Sequence, residues 1–409
     1  MIRRLLSEIC FSPEFGRQMR FIAGPRQAGK TILAREFLKQ KRCQSFYYNW
    51  DDRGTRQRYR EDPHFVWADI KTQSSLTESH PWVCFDEIHK MPKWKNILKG
   101  VFDSLEPKVQ IMVTGSARLD YFRHSGDSLV GRYFLFHLYP MNLFELTSKT
   151  TQGLVPQKDP LLFIEERLHH AQYHQGKMEG LLKWSGFPEP LLKGSEAFCR
   201  KWHADYLERL VREDIRDLTQ VRDLENVMSL MMLLPKRIGS LLSLNSLSQD
   251  LEVSHTAVRN YMKALELTYI LFQVSPYSRY IQRSLRKEKK VYFFNWMGIS
   301  QESSRYENYV ACELLAWVNG WNDAGLGGFE LYYVRTRMGK ETDFLILWDG
   351  KPWMLVEAKL GDQPIDSHHF HHAQALGNVP IIQLIRDRGI TRKEGILGYS
   401  ISASRFLGG

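Results

Sequence analysis

The first 150 residues alternate between short apolar runs and stretches with helical spacing. Apolar runs at residues 21–23, 81–85, 109–114 and 133–138 have the length and composition of buried strands, and residues 32–38 carry apolar side chains at helical intervals. Strands that alternate with helices pair in parallel, because each helix returns the chain to the same edge of the sheet. The pattern therefore predicts an α/β core with a parallel sheet.

The rest of the chain divides into further segments. A polar stretch at residues 147–160 predicts a linker, and residues 161–221 have helical spacing. Two helices around a turn at residues 252–254 are typical of a winged-helix-like module, in which Ser254 caps the second helix. The predicted domains are an α/β core at 1–150, a helical lid at 151–227, a winged-helix-like module at 228–290 and an α/β domain at 291–409.

A glycine-rich loop joins the first predicted strand to the first predicted helix. It matches the pattern G-x-x-x-x-G-K-[ST] and reads Gly24-Pro25-Arg26-Gln27-Ala28-Gly29-Lys30-Thr31. The glycines free the backbone to point N–H groups at phosphate oxygens, and a helix N-terminus favours a bound anion. We expect Lys30 to reach the β- and γ-phosphates and Thr31 to hold Mg²⁺. The loop therefore predicts a binding site for ATP or GTP.

The strand at residues 81–85 ends in two adjacent carboxylates, Asp86 and Glu87. We expect Asp86 to share the Mg²⁺ ion with Thr31, and Glu87 to polarise the attacking water. A strand followed by a capped turn would explain Asp86 but not the neighbouring pair. The two carboxylates therefore predict nucleotide hydrolysis in addition to binding.

The next strands bring further polar groups to the predicted sheet. Thr114 or Ser116 is placed to orient the water or to sense the γ-phosphate, and capping of the following helix explains either residue equally well. Arg132 stands before the strand at 133–138, at the lip of the sheet. It is our candidate arginine finger, acting in a neighbouring subunit, and so predicts a homo-oligomer.

A second group of chemically active residues lies near the C-terminus. Asp343 and Glu357 belong to two neighbouring apolar strands, and a hairpin that turns at residues 349–351 brings them to one end. Glu307, on the preceding helix, is then expected to share Mg²⁺ with both. Lys359 lies on the same side of its strand as Glu357, where it can orient water or stabilise charge on a scissile phosphate. The group predicts a metal-dependent site for phosphate cleavage.

In this order, the motifs resemble the prokaryotic AAA-type P-loop ATPases that carry a C-terminal PD-(D/E)XK nuclease-like domain. Beyond the phosphate loop, the resemblance rests on DEIHKMPKW at 86–94, TGS at 114–116, LVGR at 129–132 and LYPMNLFE at 138–145. WSGFPE at 184–189 and REDI at 212–215 extend it over nearly the whole chain.

The resemblance implies an AAA-type P-loop ATPase core, a helical lid and winged-helix-like module, then a C-terminal α/β PD-(D/E)XK nuclease-like domain. Asp343 corresponds to the metal aspartate of that domain, and Glu357-Ala358-Lys359 corresponds to its (D/E)XK motif. The same scaffold also persists as a binding module after catalysis is lost. The alternatives of an active nuclease and a degenerate scaffold therefore stay open.

The composition of the chain indicates a kind of binding partner and a cellular compartment. A chain of 409 residues with 43% hydrophobic content can bury two or three cores, and no apolar run approaches a membrane span. The net charge of +10, with four arginines at residues 53–60, favours nucleic acid as a partner, DNA first of all. Five scattered cysteines fit a cytoplasmic protein without structural zinc. We interpret the histidines at 170, 174 and 368–372 as solvated faces.

Taken together, the motifs predict an ATP-binding, ATP-hydrolysing protein coupled to a nucleic-acid-directed, nuclease-like domain in DNA processing or defence. The second helix around Ser254 offers Arg259 and Asn260 to read bases in a major groove. Packing of that helix against the ATPase is the other interpretation. The alternative function is a regulatory switch, in which ATP controls assembly and the C-terminal domain is an inactive scaffold that binds a partner.

Overall fold

In the computed structural model the chain forms two compact units, residues 4–139 and residues 140–409 together with Arg3. The structure describes residues 3–74, 81–91, 93–104, 108–115, 129–148, 150, 154–170, 172–216, 221, 223–278 and 288–409. The first unit ends before the predicted boundary at residue 150, and the lid, winged-helix-like and nuclease-like segments all fall within the second unit.

The first unit is built on a five-stranded sheet in the order β2-β3-β4-β1-β5, and all of its strands run parallel. The strands are β1 Met19–Ala23, β2 Tyr47–Asn49, β3 Trp82–Asp86, β4 Gln110–Thr114 and β5 Tyr133–His137. The predicted α/β core with a parallel sheet is confirmed. The short strand β2 was not predicted, because a three-residue polar segment has no recognisable hydrophobic period.

Helices pack on this sheet and cover its central strands, since every residue of β1 and β3 is buried. The helices are α1 Leu6–Cys10, α2 Lys30–Gln40, α3 Arg53–Glu61, α4 Phe65–Ser74 and α5 Trp94–Ser104. Short 3-10 turns lie at Pro13–Phe15, Gln44–Phe46 and Ile88–Lys90. The core of the unit includes Phe21, Phe37, Cys84 and Val113.

The second unit holds an eight-stranded mixed sheet in the order β12-β13-β11-β10-β9-β8-β6-β7. Its strands are β6 Leu271–Pro276, β7 Lys290–Phe293, β8 Phe329–Arg335, β9 Glu341–Trp348, β10 Lys351–Lys359, β11 Ile381–Ile385, β12 Thr391–Glu394 and β13 Gly398–Ser402. The predicted boundary between residues 290 and 291 is wrong, because it falls inside β7. Since β6 pairs with β8, the predicted winged-helix-like and nuclease-like segments share one sheet.

Helices of the second unit precede and flank this sheet. They are α6 Leu143–Thr147, α7 Pro160–His170, α8 Gln175–Trp184, α9 Pro188–Lys193, α10 Glu196–Arg209, α11 Leu224–Leu233, α12 Leu244–Asp250, α13 His255–Leu267, α14 Glu302–Asp323, α15 Ser367–Ala375 and α16 Ala403–Phe406. A π-helical turn, Leu210–Ile215, continues α10, and 3-10 turns lie at Leu234–Arg237 and Trp296–Gly298. Among the described residues, no helix is both long and apolar enough to cross a membrane.

The hairpin between β9 and β10 forms as predicted. Asp349 and Gly350 have φ angles of 49° and 74°, which is the left-handed conformation that a tight two-residue hairpin turn requires. The strands pair antiparallel, with Phe344 opposite Val356. Residues 343 and 357 therefore lie at the same end of the hairpin.

A buried acid, Glu313, ties α14 to the start of α6. The Leu143 N–H donates to Glu313 Oε1 over 2.8 Å, and the glutamate is only 2% exposed. Burial raises the pKa of Glu313 to about 8, because the charged carboxylate loses its hydration. The folded state therefore favours the protonated acid at this position.

Candidate nucleotide-binding site and C-terminal acidic cluster

The glycine-rich loop lies between the end of β1 and the start of α2. Gly24 has a φ of 142°, and an added Cβ would overlap the carbonyl oxygen of Leu138, so no larger residue fits there. Gly29 is the N-cap of α2 with a φ of 102° and has no side chain to cap the first turn. The helix therefore begins with N–H groups directed at the loop, which is the geometry of an anion-binding site.

Lys30 lies inside this loop. Its ammonium donates to the carbonyl oxygens of Gly24 and Pro25 over 2.8 and 2.6 Å, and the residue is only 7% exposed. Arg4, buried as well, donates from its guanidinium to the carbonyl oxygens of Ala28 and Tyr139. Arg4 thereby braces the loop. Sequence reasoning did not find it, because a lone arginine before a short helix carries no motif.

Asp86 is the hub of the polar contacts beside the loop. Thr31 Oγ1 donates to Asp86 Oδ2 over 2.9 Å, so the two residues predicted to share Mg²⁺ are in direct contact. The Tyr47 hydroxyl also donates to Oδ2, and the Thr114 hydroxyl donates to Oδ1. Parallel pairing places Thr114 opposite Asp86 and Tyr47 opposite Cys84, two residues earlier, and both hydroxyls reach the one carboxylate. Tyr47 was missed, because its strand was not recognised.

Glu87 follows Asp86 in the left-handed conformation, with a φ of 57°. For a non-glycine residue this backbone is unfavourable. Glu87 Oε2 lies 3.4 Å from His89 Nε2 and 3.7 Å from Lys90 Nζ. Burial raises the pKa of Glu87, with Lys30 and Lys90 acting in the opposite direction.

Arg132 lies at the opposite edge of the sheet from the phosphate loop. β5 runs parallel to β1, with Met19 opposite Tyr133 and Ala23 opposite His137. Arg132 therefore stands at the amino ends of the strands, one strand length or about 16 Å from the loop edge. Its guanidinium pairs with Asp103 through two contacts of 3.0 and 3.2 Å. Arg132 therefore does not face the phosphate loop of its own chain, and its action in a neighbouring subunit stays a prediction.

Thr114 and Ser116 share the same predicted roles, and of the two only Thr114 lies within the described residues. Thr114 is fully buried, and its hydroxyl donates to Asp86, the carboxylate that we assign to Mg²⁺. Ser116 lies outside the described residues, and its proposed role stays a prediction.

The C-terminal acidic residues come together as the hairpin predicted. The Asp343 N–H donates to Glu357 Oε2, and the Ala358 N–H donates to Asp343 Oδ2, each over 3.1 Å. Lys359 Nζ lies 2.9 Å from Glu357 Oε1, and its side chain is one third exposed. Burial raises the pKa of Glu357 to about 8. Asp343, Glu357 and Lys359 therefore form one contiguous polar group.

A buried lysine that the sequence did not point out lies on the other side of Asp343. Lys290 Nζ is 3.0 Å from Glu307 Oε1, 2.6 Å from Glu341 Oε1 and 3.0 Å from Asp343 Oδ1. The Tyr292 hydroxyl donates to the same Glu307 oxygen over 2.7 Å. Burial raises the pKa of Glu307 to about 7, with Asp343 adding to the effect. Glu307 therefore contacts an ammonium group, whereas the sequence predicted a metal ion.

Two histidines also line this cluster, and their interpretation as solvated residues is wrong. His369 is fully buried and His372 is 5% exposed. Both accept or donate through Nδ1 at the Thr342 hydroxyl, at 2.8 and 2.7 Å. His369 Nε2 lies 3.7 Å from Glu357 Oε1, and burial lowers the pKa of His369 to about 3. A neutral imidazole therefore faces the carboxylate.

The predicted helix pair around Ser254 is present as α12 and α13. Ser254 is the N-cap of α13, where its side chain accepts from the Ala257 N–H over 3.1 Å, as predicted. Arg259 and Asn260 are exposed, and Arg259 lies 3.3 Å from His255 Nδ1. An open cleft of about 740 Å³ runs along this face and includes His255, Arg259 and Lys263 in its lining.

Comparison with known proteins supports the first unit and leaves the second open. Residues 16–147 match a family described as an AAA domain, and residues 176–296 match a domain of unknown function. An uncharacterised protein of Mycobacterium tuberculosis is 22% identical over 347 residues, which are 81% of this chain and 68% of the relative. One of Methanocaldococcus jannaschii is 20% identical over 357 residues, 84% of this chain and 76% of the relative.

Among solved structures, the Aeropyrum pernix ORC1 protein in complex with DNA aligns over 75% of this chain and 91% of its own, at 15% identity and a TM-score of 0.28. At that TM-score the similarity carries no weight for fold or function. The family match and the loop geometry agree independently on the first unit. Residues 16–147, which include the glycine-rich loop, match the AAA-domain family.

Proposed function

We propose that the protein binds and hydrolyses ATP with Mg²⁺ in its first unit and couples this reaction to a nucleic-acid-directed, nuclease-like domain in its second unit. The observation that carries the first part is the 2.9 Å contact between Thr31 Oγ1 and Asp86 Oδ2 beside the glycine loop. A hydroxyl and a carboxylate held together at a phosphate-binding loop are the oxygen donors that Mg²⁺ takes.

The residues of the first unit fit this reaction by their chemistry. The loop N–H groups and Lys30 bind the terminal phosphates, and Thr31 and Asp86 offer oxygens to Mg²⁺, which neutralises phosphate charge when bound. Glu87 accepts a proton from the attacking water, and a pKa raised by burial makes it a stronger base. Ser116 keeps its predicted role in orienting that water. Arg132 acts in this proposal at the site of a neighbouring subunit, within a homo-oligomer.

In the second unit, Asp343 and Glu357 are the carboxylates that fit a divalent ion. Each of Asp343 Oδ2 and Glu357 Oε2 accepts one N–H group, so a lone pair remains on both oxygens. Lys359 is exposed enough to meet a scissile phosphate and stabilise its developing charge. Glu307 does not fit the same ion, because Lys290 already contacts its carboxylate.

A nucleic-acid partner is supported by charge on both units. In α3, the exposed residues Arg53, Arg56 and Arg60 line an open cleft of about 500 Å³, and among the described residues none of their side chains forms a hydrogen bond or salt bridge. Free guanidinium groups on one helix face suit a phosphate backbone. Arg259, on the exposed face of α13, is the candidate in the second unit. All five cysteines are free thiols, which agrees with the expected cytoplasmic setting.

One observation favours a second candidate function, an ATP-controlled switch with a catalytically inactive C-terminal domain. Lys290 supplies a permanent positive charge where Glu307 and Asp343 were expected to share Mg²⁺. An acidic cluster that is neutralised by a lysine is stable without metal, as a binding scaffold would need to be. In that case the second unit binds a partner and does not cut nucleic acid.

The first experiment measures ATP turnover of the full chain with and without duplex DNA, single-stranded DNA and RNA. Mg²⁺-dependent turnover that is lost in Asp86→Asn is expected, and stimulation by one nucleic acid supports the coupling. Absence of turnover under all conditions would refute the ATPase part. Turnover that no nucleic acid changes favours the switch.

The second experiment measures cleavage of the same nucleic acids with Mg²⁺ or Mn²⁺. Asp343→Ala and Glu357→Ala should abolish cleavage, and Lys359→Ala should abolish most of it while keeping metal binding. Glu330→Ala, an exposed carboxylate on β8, is the matched control and should cut like the parent. If the parent cuts none of these substrates with either metal, the switch is the better account.

A further inference from the structure

Lys290 is the least exposed charged group of the acidic cluster, at 1% side-chain exposure. It opens β7, and alternation along the strand puts it on the same face as Tyr292. A buried ammonium is costly unless it is fully paired. The three carboxylates of Glu307, Glu341 and Asp343 provide that pairing, at 2.6–3.0 Å.

The position of this ammonium conflicts with a metal shared by Glu307 and Asp343. Mg²⁺ or Mn²⁺ would need an oxygen from each residue at about 2.0–2.2 Å. Lys290 Nζ already lies 3.0 Å from both of those oxygens, Glu307 Oε1 and Asp343 Oδ1. A divalent cation between them would sit against the ammonium with the same sign of charge. One cation therefore excludes the other.

A catalytic role for Lys290 does not fit its surroundings. Its nitrogen is closed off from solvent, whereas Lys359 reaches the surface from the far side of Glu357. On the other side of Glu307, an added Cβ at Gly239 would lie 2.5 Å from Oε2, so the backbone packs directly against the carboxylate. Among the described residues, this packing and the three carboxylates enclose the ammonium.

We infer that Lys290 is a built-in counter-ion that occupies the gap between Glu307 and Asp343, so that this part of the cluster is stable without metal and admits a divalent ion only when the lysine is removed. The inference deepens the proposed function of the second unit, since it names which carboxylates of that site remain for metal. Under this inference, Asp343 Oδ2 and the Glu357 carboxylate, on the Lys359 side of the cluster, are the oxygens that remain for a metal ion.

The test is thermal unfolding of the full chain in EDTA and in Mn²⁺, with Mn²⁺ binding followed by calorimetry. Lys290→Met should unfold at a lower temperature than the parent in EDTA, because three carboxylates lose their counter-ion. Mn²⁺ should restore much of the loss and should bind Lys290→Met at least ten-fold more tightly than the parent. Lys290→Met combined with Asp343→Asn should show no such response. Lys351→Met, an exposed lysine on β10, is the matched control and should behave like the parent.

Equal Mn²⁺ affinity of the parent and Lys290→Met would overturn the inference, as would a Lys290→Met protein that is as stable as the parent in EDTA. If Lys290→Met does not fold in EDTA, recovery of folded protein by Mn²⁺ supports the inference. The variant that also carries Glu341→Gln lowers the uncompensated charge and keeps both Glu307 and Asp343, and failure of that variant to bind Mn²⁺ more tightly than the parent would overturn the inference. These readouts do not require cleavage, so an inactive nuclease and a wrong role for Lys290 give different results.

Discussion

Replacing Thr114 with valine removes one hydrogen bond from the carboxylate that we assign to Mg²⁺. Thr114 is fully buried, and its hydroxyl donates to Asp86 Oδ1. Valine has nearly the shape of threonine, so the substitution leaves the packing of β4 in place and deletes only the donor. Because Asp86 is 2% exposed, bulk water does not replace it.

The size of the effect follows from the remaining contacts. A hydrogen bond to a charged group contributes about 1.5–3 kcal/mol to stability. Thr31 and Tyr47 still donate to Asp86 Oδ2, so the carboxylate keeps two of its three hydroxyl donors. We therefore expect a loss of about 1–2 kcal/mol in the free energy of unfolding. We also expect a roughly ten-fold weaker response of ATP turnover to Mg²⁺, since about 1.4 kcal/mol is a factor of ten.

The assay is ATP turnover against Mg²⁺ concentration at saturating ATP, with thermal unfolding of the same protein. Thr114→Ser is the matched control, because it keeps the hydroxyl and loses one methyl group, at a cost of about 0.8 kcal/mol in stability. It should retain the Mg²⁺ response of the parent. A valine variant with that same response, or a serine variant impaired as much as valine, would refute the reasoning.

Three further predictions concern binding, oligomerisation and pH. Lys30→Ala should lose tight ATP binding, whereas Glu87→Gln should bind ATP and hydrolyse it slowly. Titration with a fluorescent ATP analogue measures the binding, and a turnover assay measures the hydrolysis. Equal loss of ATP binding in both variants would contradict these roles. Arg132→Ala should lower ATP turnover while its ATP affinity stays near that of the parent. Mixing Arg132→Ala protein with Lys30→Ala protein should recover turnover at sites formed between the two variants. A mixture whose turnover never exceeds the summed turnover of the two separate variants rules out action across subunits. Because burial raises the pKa of Glu313 from 4.5 to about 8, the folded state holds an extra proton between these values, and stability should fall as pH rises through this range. Glu313→Gln should flatten that decline in thermal unfolding between pH 5.5 and 8.5, and parallel curves would show that another group controls it.

The sequence by itself determined the features whose residues are neighbours along the chain. The glycine loop, the Asp86–Glu87 pair and the hairpin that joins Asp343 to Glu357 all depend on local backbone rules, such as positive φ at Gly24 and Gly350. Apolar runs likewise predict strands, because a strand buried on both faces needs continuous apolar side chains. These features could be predicted without any tertiary information.

Tertiary structure alone decided which distant groups meet. Tyr47 reaches Asp86 because a short unpredicted strand pairs with β3, and Arg132 lies far from the loop because β5 runs parallel to β1. No sequence motif marks Lys290, yet its strand buries it among acids from α14 and β9. Burial of a charge depends on long-range packing, and hydrophobic periodicity does not record where a polar side chain finds its counter-charge.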